Sequence, residues 1–69
     1  MPAEMMDKRR IVVETLREHG ELNITKLAKL TGMHFSILEK IIVELAEQGV
    51  VEEKRYGRLR IVRLKTSYP

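Results

Sequence analysis

Apolar residues recur along this chain with two periods, and the change from one to the other divides it. Met5, Val12, Leu16 and His19 share one helical face, and Met6 and Val13 widen it. That spacing predicts a first helix over 3–19. Ile11 falls off the stripe, where it either packs beneath a neighbour or marks a contact with a second copy. Glu21-Leu22 reads as short and extended. Ile24, Leu27, Ala28 and Thr31 line one face of a second helix, over about 24–31. Asn23 stands where a side-chain acceptor satisfies a free N–H of the first turn. Lys26 occupies the position that a capping box gives to an acid or amide, so only half of that motif is present. A turn, Thr31-Gly32-Met33-His34, leads to a third helix over about 34–48. Its seam is Leu38, Ile42 and Leu45, flanked by Ile41 and Phe35. The opposite face carries Ser36, Lys40, Val43 and Glu47, with Glu39 at its edge.

After Gly49 the pattern changes to that of strands, and residues 50–64 read as a hairpin. Arg55-Tyr56-Gly57 is predicted as a three-residue loop with Gly57 in the left-handed position. In the return strand Leu59 and Ile61 take one parity, Val62 and Leu64 the other. A bulge near Ile61-Val62 would reconcile them. Thr66 to Pro69 is expected to fray.

Composition narrows the function. With 69 residues the chain is read as a single domain, 1–69. A domain of this size buries only roughly 60% of its unfolded surface, which leaves little room for an enclosed catalytic cleft. It has no cysteine, so disulfides and thiolate metal sites are excluded. Two histidines without an acidic cluster make no metal site. His34, Ser36 and Glu39 are near in sequence but point in different directions on a helix. No phosphate-cradling glycine loop is present. No enzyme, cofactor or small-molecule ligand is therefore expected. No apolar run reaches the ~20 residues of a membrane span, and residues 1–10 lack a signal-type segment. The expected location is cytoplasmic, off the membrane. Asn23 and Gln48 are the only side-chain amides, a composition that fits a thermophile.

Charge is distributed unevenly. Residues 1–49 hold seven Lys/Arg against eight Asp/Glu, and residues 50–69 hold six against two. The positive excess sits in the hairpin and beyond, which suits a polyanionic partner. Basic strands also block edge-to-edge pairing, so the charge has a structural reading too.

The order helix, short strand, helix, turn, helix, hairpin resembles the winged helix-turn-helix domains of bacterial and archaeal transcriptional regulators. The likeness rests on Val12-Val13-Glu14-Thr15-Leu16 with Glu18-His19-Gly20, on Leu22-Asn23-Ile24-Thr25-Lys26-Leu27-Ala28, on Thr31-Gly32-Met33, and on Leu38, Ile42, Leu45 and Gly49-Val50-Val51. It covers roughly 5–65. It implies an α+β fold, mainly α, with a C-terminal β-hairpin wing. It also implies double-stranded DNA as partner, with the third helix in the major groove and the wing on backbone or minor groove.

Carried onto this chain, the resemblance assigns base contacts to His34, Phe35, Ser36, Glu39, Lys40 and Val43. Phosphate contacts go to Thr25, Lys26 and Lys29 near the start of the second helix. The wing contributes Lys54, Arg55, Tyr56, Arg58 and Arg60, with Arg63 and Lys65 beyond. His34 either caps the helix or meets a phosphate, and Phe35 either packs or stacks. A homodimer through the first helix, with Met5 and Met6 at the contact, is expected. One departure stands out. From His34 to Gln48, Lys40 is the only base against Glu39, Glu44 and Glu47. Acids near phosphates oppose binding, so a protein-interaction module, or an RNA binder acting through the wing, is the alternative.

Overall fold

Three helices follow where the periodicities place them. The computed structural model describes residues 3–65, with side chains from residue 8 onward. Its elements are α1 (Ala3–His19), β1 (Leu22–Asn23), α2 (Ile24–Thr31), α3 (Phe35–Glu47), β2 (Val51–Tyr56) and β3 (Leu59–Leu64). Asn23 caps α2 as expected, its Oδ1 accepting from the Lys26 N–H at 2.7 Å. The α2 end is closed at Gly32, whose φ of +70° lets its N–H and that of Met33 both reach the Ala28 carbonyl. Thr31 Oγ1 turns back to donate to the Leu27 carbonyl at 2.8 Å.

The core joins every layer. Val12 and Leu16 enter it from α1, Ile24 and Leu27 from α2, Val51 from β2 and Val62 from β3. Leu38, Ile41, Ile42 and Leu45 enter it from α3, which contributes more than any other element. Ile41 is thus a central core residue rather than a flank, while Phe35 is exposed. His19, expected on the inner face of α1, is solvated. It is the last residue of the helix, in the turn that the Gly20 N–H closes on the Leu16 carbonyl. Ile11 is exposed. The side chains of Met5 and Met6, and the expected fraying of Thr66 to Pro69, lie outside the described residues.

The sheet is antiparallel, with strand order β1-β3-β2, so the short N-terminal strand adds a third member to the hairpin. Leu22 pairs with Val62 and Asn23 with Ile61. The hairpin register runs unbroken from Val51↔Leu64 to Tyr56↔Leu59. The predicted bulge is therefore absent, and so is the three-residue loop. Tyr56 belongs to β2, and Gly57-Arg58 forms a two-residue connection. Gly57 has φ +62° while no non-glycine residue has positive φ, the pattern of a type II′ turn. That turn suits the strand twist and leaves the chain no reason to bulge.

The register sorts the hairpin into two faces. Val51, Glu53, Arg55, Arg60, Val62 and Leu64 share the inner one, where Val51 and Val62 are buried against the helices. Glu52, Lys54, Tyr56, Leu59, Ile61 and Arg63 share the outer one. The conflicting parities of β3 are thus both used.

Candidate nucleic-acid interface

Burial of Leu38, Ile41, Ile42 and Leu45 dictates which side chains α3 turns outward. His34, Phe35, Ser36, Lys40 and Val43 are exposed, and Glu39 is half-buried. Val43 is 54% and Phe35 48% exposed, which marks both as outside the core. A shallow depression of about 350 Å³ on this surface is lined by Glu39, Lys40, Val43 and Glu44. His34 holds the N-cap position in extended conformation, but its side chain makes no capping bond. Its role in starting the helix is the backbone's, since its carbonyl accepts from Leu38 N–H at 3.0 Å.

The inner face of the wing continues from the core into an ion-pair network. Arg60 Nε and Nη2 donate to Glu53 Oε2 and Oε1 at 2.6 and 2.9 Å. Its Nη1 lies 2.5 Å from Glu39 Oε1 on α3. The guanidinium also sits 5.9 Å from the centre of the Phe35 ring, within cation–π range. Arg55 Nε adds a bond to Glu53 Oε2 at 3.1 Å. Arg55 and Arg60 are direct cross-strand partners. Like charges so placed repel, and Glu53 between them supplies the compensating charge.

These contacts shift the groups they join. The hydrogen bond from Arg60 lowers the Glu53 pKa, with help from Arg55 and against the opposing effect of burial. The same bond to Glu53, followed by the one to Glu39, raises that of Arg60.

Two further acids are held by arginine. Arg9 of α1 pairs with Glu44 of α3, and Arg63 pairs with Glu52 across the outer face of the wing. Among the described residues, Lys26 and Lys29 of α2, Lys40 of α3, and Lys54 and Arg58 of the wing make no ion pair. Arg55 keeps a side chain 70% exposed, so its outer nitrogens stay open to a partner. Thr25 and Tyr56 are exposed as well.

The sequence-assigned residues therefore separate into two groups. Thr25, Lys26, Lys29, His34, Ser36, Lys40, Val43, Lys54, Arg55, Tyr56 and Arg58 present themselves to solvent. Arg60 instead contacts Glu39 and the Phe35 ring, although Phe35 also stays exposed. Glu53 and Arg9 were not singled out, and Glu44 was counted only among the acids of the third helix. Once the two-residue turn is known, the parity of Glu53 and Arg60 places them on one face and would have signalled the first of these. Among the described residues, no group of three His, Asp or Glu side chains converges as a metal site. Among the described residues, no helix is long and apolar enough to cross a membrane.

No protein-family model matches the chain. Its structure is similar to that of the Zα domain of Carassius auratus PKZ, solved in complex with Z-DNA. The TM-score is 0.82 at 18% identity, over 90% of this chain and 98% of that one. It is also similar to a possible transcriptional regulator for arsenical resistance, with TM-score 0.78 at 30% identity, over 87% of this chain and 62% of that one. An uncharacterized protein of Methanocaldococcus jannaschii is 22% identical over 55 residues, 80% of this chain, and the chain spans 12% of that protein's length. The fold is winged helix-turn-helix, with the β2–β3 hairpin as the wing.

Proposed function

We propose that this protein binds double-stranded DNA and acts as a transcriptional regulator, with α3 in the major groove and the wing on the backbone or minor groove. The observation that carries this reading is the charge left over after ion pairing. Glu39, Glu44, Glu52 and Glu53 are each held by an arginine, while among the described residues no acid holds Lys26, Lys29, Lys40, Lys54 or Arg58. The negative balance of α3 is thus largely cancelled where it would face phosphates. The neighbouring structures support the same reading, one solved with Z-DNA and one a possible transcriptional regulator. We place the protein in the cytoplasm, pairing with a second copy through α1, where Ile11 is exposed.

On this reading the wing supplies affinity and α3 supplies choice of sequence. Six cations, counting Arg55 with the five unpaired ones, set a log–log salt slope no steeper than about −5 for duplex DNA. Arg55→Ala with Arg58→Ala weakens binding to every sequence and flattens that slope by about 1.8. Lys40→Ala or Ser36→Ala changes sequence preference instead. Gel-shift titrations across a salt series read both effects. A wild-type affinity indifferent to salt would sink the proposal.

A protein-interaction module is the second reading, favoured by the exposed Phe35 and Val43 on α3. Ile37 does not add to that surface, because it packs against the core. A stoichiometric partner that co-purifies, with no retardation of duplex DNA at low salt, selects this reading. Competition between duplex DNA and RNA separates the nucleic acids.

A further inference from the structure

We infer that Arg60 is a positioning residue, which locks the wing onto α3 by bridging Glu53 and Glu39 over the Phe35 ring and makes no phosphate contact. The inference rests on the DNA-binding reading above and revises the role that the resemblance assigned to this residue.

Each nitrogen of Arg60 already faces a carboxylate oxygen. Nε and Nη2 hold the two oxygens of Glu53, and Nη1 holds Glu39. Its side chain is 20% exposed, against 70% for Arg55 across the ladder. The four charges Glu39, Glu53, Arg55 and Arg60 sum to zero. A phosphate approaching Arg60 would have to displace carboxylates already in charge-assisted contact. The exchange would release Glu39 and Glu53 beside the phosphate, where each repels it. Arg55 and Arg58 meet the same phosphate without that penalty.

The bridge also joins the two elements that must meet DNA together. Glu39 belongs to α3, Glu53 to β2 and Arg60 to β3. Its planar fork sets the distance and angle between helix and hairpin beyond the edge of the apolar core. A lysine keeps the charge but offers one ammonium, which cannot reproduce the paired bonds to Glu53 together with the contact to Glu39. Glu39 is consequently committed to the bridge, and Ser36, Lys40 and Val43 are left to face bases.

The test uses labelled random-sequence duplex DNA, fluorescence anisotropy and a KCl series, with Arg60→Lys and the charge-conserving pair Glu39→Gln/Arg60→Gln. Circular dichroism first establishes that each variant is folded at the assay temperature, so that lost stability alone moves neither readout. The expected result is a loss of at least about fivefold in affinity for both variants, the lower end of typical coupling between elements. Their salt slopes should match the wild type. Arg60→Lys binding within about twofold of wild type, or a slope for the double variant lower by about 0.9, one phosphate contact, overturns the inference. In that case DNA binding by the wild type still stands. Absence of wild-type binding even at low salt overturns the DNA-binding reading, and the inference with it.

Discussion

The third helix and the wing are both charged surfaces, but acids in each are neutralised by different routes. The acids of α3 are held from outside the helix, Glu44 by Arg9 of α1 and Glu39 by Arg60 of β3. The acids of the wing are held within it, Glu52 by Arg63 and Glu53 by Arg60 and Arg55. Pairing leaves α3 with Lys40 and the unpaired Glu47, and leaves the wing with Lys54 and Arg58. The difference teaches that the net charge of an element does not describe the surface it presents. A helix that is acidic by sequence can stand against a polyanion when neighbouring elements neutralise it. A basic hairpin can spend part of its charge on its own architecture.

The comparison breaks most completely when the shared support is removed. Leu38 is fully buried beneath α3. Leu38→Ala should destabilise the domain by about 2–5 kcal/mol through lost burial and a residual cavity. Chemical denaturation monitored by circular dichroism measures that loss, and helix and wing should fail in one transition.

A smaller change separates the two regions. Gly57 has φ +62°, and a Cβ placed there would meet nothing within 4 Å. Gly57→Ala therefore costs only backbone strain, about 1–2 kcal/mol. Thermal unfolding should show that loss, and hydrogen exchange should show faster opening at the wing tip while α3 keeps its protection.

Acid probes the bridge itself. Arg60 holds the pKa of Glu53 below the ordinary carboxylate range. A folded-state value below the unfolded one means that the bridge's contribution is complete above the unfolded value and is lost as pH falls through the folded one. The melting temperature should therefore fall as pH drops through and below the usual glutamate range. In Glu53→Gln that component should be missing, which scanning calorimetry across an acid series can read.

The smallest effect belongs to the other acid of α3. Glu44 is more exposed than Glu53, with 38% of its side chain open to solvent. Glu44→Gln should change stability by less than about 1 kcal/mol, as for other exposed pairs. A larger loss in thermal melts would place the Arg9–Glu44 pair alongside the bridge and erase the contrast drawn between them.

What could be read from the chain follows from how far apart the interacting residues are. The 3.6-residue spacing placed α1 and α2 at their observed bounds and α3 within a residue of them. Asn23 and Gly32 marked the ends of α2, because a cap acts within one turn. The hairpin was legible as two strands, but its loop was expected at 55–57 and lies at 57–58. That shift changes which residues pair across the hairpin, so the bridge was not foreseen. The solvent-facing cations were legible as a patch. Which of them remain unpaired was not.

By itself, then, the sequence determined the elements, the caps and the apolar faces, because backbone hydrogen bonds and periodic burial link near neighbours. It determined the basic wing and the acidic third helix as compositions. Only the tertiary structure decided that β1 joins the sheet, that Val62 and Leu64 face inward, and that Arg60 holds Glu39 and Glu53. Those choices depend on strand register and on the approach of the wing to α3. An arginine takes whichever carboxylates that geometry brings within reach.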